Sequence, residues 1–141
     1  MTGIQKRHYR SADSGFTLIE LMIAVAILAI IVAIAIPTYE RYVIETNRGE
    51  GKVIINNVAQ GLERCYSRFS QYNDGACTVT LPAVSENGHY SVTAALTATT
   101  YTLTAAPQGN QATRDTECGS LTLDHRGFRG VTGSGTVEDC W

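Results

Sequence analysis

Hydrophobic and polar positions follow three different patterns along this chain. From Leu21 to Ile36 all sixteen positions are apolar. Counted from Phe16, the stretch to Ile36 is 21 residues, about 31 Å as a helix, which is enough to cross a hydrocarbon core. Pro37 lacks a backbone N–H, so a kink or local loosening of the helix is expected there. Beyond it, Ile44, Gly51, Ile55, Val58, Leu62, Cys65 and Phe69 recur at helical spacing, while Arg41, Glu45, Arg48, Lys52, Glu63 and Arg64 take the more polar positions. One long helix is predicted, and the stripe on its second half should pack on a head. Gly49, Gly51 and Gly61 each weaken that helix by up to ~1 kcal/mol, and the pattern does not say what they pack against.

Residues 70–87, SQYNDGACTVTLPAVSEN, read as loop. The period then changes from helical to alternating. Tyr90, Val92, Ala94 and Leu96 alternate with Ser91, Thr93 and Ala95, and Tyr101, Leu103 and Ala105 alternate with Thr100, Thr102 and Thr104. The short connection Thr97–Thr99 makes these an antiparallel pair, ended by Pro107 and Gly109. Leu121 and Leu123 mark a third strand, and GFRGVTGSGTVEDC after it is glycine-rich and irregular. The expected fold is α+β: a long N-terminal helix on a small antiparallel sheet of three to four strands.

At 141 residues the chain allows one domain plus an appendage. A formal net charge of −2 neither favours nor excludes a nucleic-acid partner. Cys65, Cys77, Cys118 and Cys140 contain no C-x-x-C pair, which weakens a zinc or thioredoxin reading. Four cysteines behind an export-like segment suggest two disulfides in an oxidising compartment.

The N-terminal segment admits three readings. Lys6, Arg7 and Arg10 form a basic flank, and Ala33-Ile34-Ala35 mimics a signal-peptidase site, but the apolar run exceeds the usual core of a secretory signal. A plain membrane anchor, oriented with its basic N-terminus in the cytoplasm, accounts for the run but not for Glu20. A carboxylate at membrane depth costs on the order of 2.5–3.5 kcal/mol and requires a partner. No Lys or Arg follows before Arg41, more than five helical turns away. The third reading cuts the chain between Gly15 and Phe16. Phe16 then carries a free, mostly protonated α-amino group, and Glu20 gains a cationic partner in its own chain or a neighbour. Such a pair sets register better than it stabilises.

Gly15-Phe16-Thr17-Leu18-Ile19-Glu20-Leu21 resembles the signal of type IV prepilins, G-F-T-L-x-E. The resemblance implies that a prepilin peptidase cuts after Gly15 and N-methylates Phe16, that Glu20 aligns the incoming subunit, and that Pro37 sits where a helix kink is usual. Pseudopilins of type II secretion share the motif. The C-terminal half, with Tyr101, Leu103, Ala105, Asp115, Cys118, Gly119, Leu121, Leu123, Gly127, Arg129, Gly130, Asp139, Cys140 and Trp141, is similar to PilE-type minor pilins. The implied organisation is a leader over residues 1–15, a transmembrane and filament-core helix over 16–37, and a soluble head over 38–141. The implied partners are other major and minor pilins, the prepilin peptidase, the inner-membrane assembly platform, and the membrane itself before assembly. The implied location is the inner membrane with the head in the periplasm, then the extracellular fibre, where such fibres serve adhesion and twitching motility.

Four cysteines allow three connectivities. Nearest-neighbour pairing joins Cys65 to Cys77 and Cys118 to Cys140, and the second resembles the disulfide-bounded C-terminal region of pilins. Each closure contributes roughly 3 kcal/mol in the chain-entropy model. The Cys65/Cys77 pair is the departure from that family pattern.

Catalysis finds no support: His8 falls in the leader, His89 reads as an edge residue, and no G-x-S-x-G, H-E-x-x-H or P-loop is present. The acidic residues match no EF-hand loop, and no cofactor or metal is expected. DNA binding is the alternative within the fold, since ComP-type pilins that take up DNA share the scaffold. HRGFRG supplies Arg126, Phe128 and Arg129 for charge and stacking. After cleavage, however, eight Lys/Arg would face twelve Asp/Glu, and phosphate tracking favours an uncompensated basic stripe. DNA is therefore the alternative partner, not the favoured one.

Overall fold

The computed structural model describes residues 15–141. Residues 1–14, including Lys6, Arg7, His8 and Arg10 of the expected leader, lie outside the described residues. The chain divides into two compact units between Thr38 and Tyr39. Helix α1 (Leu18–Phe69) contributes to both.

In the first unit α1 begins at a reciprocal cap. The Thr17 hydroxyl accepts from the Glu20 N–H (3.2 Å), while Glu20 Oε2 accepts from the Thr17 N–H (2.8 Å) and hydroxyl (2.9 Å). This is the T-x-x-E capping box, which satisfies helix-end donors that otherwise lack partners. The helix continues through Pro37, and the Thr38 hydroxyl back-bonds to the Ile34 carbonyl at 3.1 Å.

In the second unit the rest of α1 packs on a five-stranded antiparallel sheet of order β1-β2-β3-β4-β5. The strands are β1 (Ala83–Val84), β2 (Tyr90–Leu96), β3 (Tyr101–Pro107), β4 (Leu121–Asp124) and β5 (Arg129–Val131), with short helices α2 (Gly109–Arg114) and α3 (Val137–Cys140). The α+β class stands, and the strand count exceeds the expected three to four. The two additional strands hold two and three residues, too few to show alternation; their pairing is set by the neighbours β2 and β4.

The alternation in β2, β3 and β4 places one face against the helix. Tyr90, Val92, Tyr101, Leu103, Ala105, Leu121 and Leu123 meet Ile55, Val58, Ala59 and Leu62 of α1 in one core. A fully buried side chain such as Leu103 contributes about 1.5–3 kcal/mol, and its truncation also leaves a cavity. Two expectations about the helix stripe need correction. Phe69 at its end is exposed, whereas Arg48, assigned to the polar positions, is buried. The Asp115 carboxylate and, at 3.5 Å, the Asp139 carbonyl accept its hydrogen bonds inside the head, so its charge is answered there.

Gly51 is the close-approach point: a Cβ there would lie 2.8 Å from the Tyr90 ring. Gly49 has open space around it, and a Cβ on Gly61 would touch Val79 at 3.0 Å.

Candidate functional site

Three constellations carry the candidate chemistry. The first is the N-terminal surface. Phe16 is 91% exposed, and Gly15 has no neighbour where a Cβ would stand. The side chains of Leu21, Met22, Ile23, Val25, Ile27, Leu28, Ile30, Ile31, Val32, Ile34 and Ile36 are all exposed. This stretch is long and apolar enough to cross a membrane, and none of it is buried within the chain. Glu20 stands on the same helix, its carboxylate held by Thr17. The T-x-x-E spacing thus supplies Glu20 with a partner within its own turn, other than the expected α-amino group of Phe16.

The second is a buried polar cluster. Arg48 grips Asp115 with two prongs, Nη2 to Oδ1 at 2.7 Å and Nε to Oδ2 at 3.1 Å. The Tyr90 hydroxyl donates to Asp115 Oδ2 at 3.1 Å. Gln111 Nε2 lies 3.1 Å from the same oxygen and 3.1 Å from the Ile44 carbonyl. Burial opposes ionisation of Asp115, but Arg48 and Tyr90 outweigh it and hold the carboxyl below its ordinary range. Burial and the Asp115 charge push the Tyr90 hydroxyl up to about 12. No buried side-chain nitrogen or oxygen among the described residues lacks a partner. A fully satisfied network of this kind fixes one packing of helix on sheet.

The third is the tip of the β4–β5 hairpin, where Arg126, Phe128 and Arg129 are brought together. Asp124 organises the tip: Oδ1 accepts from the N–H groups of Arg126 and Phe128, both at 2.9 Å. Its Oδ2 accepts from Arg126 Nε at 3.1 Å and Nη2 at 3.0 Å. Gly127 turns the chain with φ of +84°, a conformation that suits glycine. The Arg126 guanidinium lies 4.8 Å from the Phe128 ring centre, and that of Arg129 lies 5.0 Å from the Trp141 ring centre. Desolvation works against Asp124, but the Phe128 N–H and Arg126 hold it below its ordinary range. Both arginines thus have local partners.

Cys65 is bonded to Cys77 and Cys118 to Cys140, with Cα separations of 5.5 Å and 5.6 Å. The first ties the end of α1 to the following loop; the second ties the turn before β4 to α3. His89 is half-buried rather than a free edge residue, with Nδ1 3.1 Å from Glu50 Oε1. Arg64, one of the expected polar positions, and Arg68, which the pattern did not single out, are exposed and one turn apart. They line a groove of about 380 Å³ with Phe69 and the Cys77–Thr80 wall.

Residues 10–36 match the model described as the prokaryotic N-terminal methylation motif. Residues 37–122, more than half of the chain, match the family described as type IV minor pilin ComP, DNA uptake sequence receptor. The chain belongs to this family of type IV pilins. It is a structural pilin and not an enzyme. The type IV major fimbrial protein FimA of Dichelobacter nodosus is 44% identical to this pilin over 68 residues, which cover 48% of this chain and 38% of that one. The pilin thus spans about two fifths of the length of the curated relatives it matches. Among solved structures, a type IV pilin from Shewanella oneidensis is 30% identical, covering 70% of this chain and 97% of that one with a TM-score of 0.47. The non-core minor pilin PilV of Neisseria meningitidis is 24% identical, covering 65% and 89% with a TM-score of 0.50. The second likeness is one of fold.

Proposed function

We propose that this pilin is a minor subunit of type IV pili that helps to start their assembly and is built into the fibre. Prepilin peptidase removes residues 1–15 and N-methylates Phe16. Residues 16–37 hold the subunit in the inner membrane with the head, 38–141, in the periplasm. The assembly platform then moves it into the fibre beside other major and minor pilins. The observation that carries this reading is the helix beginning at Leu18: its apolar side chains are exposed all round within the chain, so they require lipid first and neighbouring helices later. Glu20, with Thr17, lies where such helices would have to align. In the test, mass spectrometry of the mature protein should find N-methylated Phe16 as first residue, and sheared fibres should contain the chain. A mature N-terminus at Ile36, or absence from sheared fibres, would overturn the reading.

A second reading, a DNA receptor, is favoured by the description of the matched family. The hairpin tip offers Phe128 for stacking, and Arg64 and Arg68 offer cations without an ion-pair partner among the described residues. Against it, Arg126 is engaged by Asp124. Full-length protein in detergent should bind duplex DNA weakly at physiological salt and without sequence preference. Submicromolar binding that collapses in Arg126→Ala/Arg129→Ala or in Arg64→Ala/Arg68→Ala would make the receptor reading the better one.

A further inference from the structure

A groove of about 570 Å³ runs between α1 and the edge strand β1, lined by Val53, Ile54 and Val84 and rimmed by Glu50 and Glu86. Its apolar lining is open: Val53 is 62% exposed and Val84 is 58% exposed. The hairpin tip has the opposite character. Phe128, 66% exposed, stands out between Arg126 and Arg129.

We propose that the Phe128 tip of one copy docks into the Val53–Val84 groove of a second copy. An aromatic side chain is the occupant an open apolar groove accepts, and Arg129, which forms no ion pair among the described residues, is the flanking cation that meets the acidic rim. Glu86 has no hydrogen-bond or ion-pair partner among the described residues, while Glu50 is already held by Asn87 and His89. Glu86 is therefore the free anion on the rim.

Topology makes the contact one-directional. β1 and β5 are the two edges of the sheet. β1 pairs with the first residues of β2, Ser91 and Val92. The tip adjoins the first residues of β3, since Asp124 pairs with Thr102 and the His125 N–H donates to the Tyr101 carbonyl. Because β2 and β3 are antiparallel, groove and tip occupy diagonally opposite corners. One copy thus presents a free groove and a free tip after each contact, which is the heterologous geometry that extends a line of subunits. The contact needs only that copies meet, in the membrane or in the fibre, and it does not depend on the subunit being minor.

The test uses the full-length chain in its own membrane. A photoreactive benzoylphenylalanine replaces Phe128 in one copy, and a second, epitope-tagged copy is left unaltered. Irradiation should join the two, with the crosslink on peptides holding Val53 or Val84 of the tagged copy. Glu86→Arg in the tagged copy should lower the yield roughly tenfold, because like charges then face each other. Asn73→Arg, exposed and outside the groove, should not. Crosslinks only to DNA, only to another protein, or to none would overturn the proposal, as would equal losses with Glu86→Arg and Asn73→Arg. Presence of the chain in sheared fibres without the crosslink would defeat this contact and leave the fibre-subunit reading standing.

Discussion

Arg48 on α1 and Asp115 after α2, 67 residues apart, form a two-pronged buried ion pair whose shorter contact is 2.7 Å. It joins the helix to the C-terminal half of the head, and Tyr90 and Gln111 complete the coordination of the carboxylate. Removing one member leaves the other charged and buried, which costs about 3–5 kcal/mol. Asp115→Asn and Arg48→Met should therefore each lower the urea midpoint of the head strongly. The double variant should lose less than the sum of the singles, as a double-mutant cycle will read.

The same pair sets an acid limit. Burial raises the Asp115 pKa, but Arg48 and Tyr90 lower it further, so it ends below its ordinary value. A group depressed in the folded state stabilises fully above the unfolded value of about 3.9 and loses that contribution as pH falls through the folded value. Thermal stability followed by circular dichroism should fall below about pH 4. Asp115→Asn should be less stable at neutral pH and show a shallower acid slope; an unchanged slope would remove Asp115 from the acid transition.

Gly49 and Gly51 should respond oppositely to alanine. Both substitutions favour the helix by about 0.5–1 kcal/mol. At Gly49 the added Cβ meets nothing, so the gain is realised. At Gly51 it meets the Tyr90 ring at 2.8 Å, and overpacking of this kind costs about 1–3 kcal/mol. Gly49→Ala should raise the denaturation midpoint and Gly51→Ala should lower it. A gain at both would show that Tyr90 moves aside freely.

Accessibility separates the two disulfides. Cys118 and Cys140 are fully buried, whereas Cys77 is half-buried. A small thiol at low concentration should reach Cys65–Cys77 first. Timed alkylation and peptide mapping should find label on Cys65 and Cys77 while Cys118 and Cys140 stay bonded; the reverse order would contradict the burial argument.

Glu20→Ala removes the acceptor held by Thr17 and makes the helix more apolar, so membrane insertion should persist. Folding of the head should persist as well, because no core side chain is altered. Sheared fibres should lose the variant while the membrane fraction accumulates it, as immunoblots of the two fractions will show. Thr17→Ala keeps the carboxylate but loses the hydroxyl of the cap. Normal incorporation of Thr17→Ala beside failure of Glu20→Ala would assign the effect to the charge rather than to the helix start.

The features that rest on local order follow from the order of residues alone. Sixteen consecutive apolar residues specify a helix that cannot bury itself in a small head. Alternation in 90–96, 101–107 and 121–124 specifies the three strands whose inward faces make the core, because period two leaves no other face to bury. The T-x-x-E cap at Thr17 and Glu20 was equally local and equally readable. Features that depend on distant partners arise only when the folded chain brings those partners together. β1 and β5 are strands because β2 and β4 offer them free backbone groups, not because of their own composition. Arg48 looked like a solvated helix position until Asp115 came within reach of it. Gly51 is needed because of a tyrosine ring 39 positions away in the chain. The basic run at 125–130 became a tip braced by Asp124 rather than a free cationic patch. Periodicity records which face of an element is buried; the identity of the group across the interface is set by chain reversals whose length and direction no local pattern encodes.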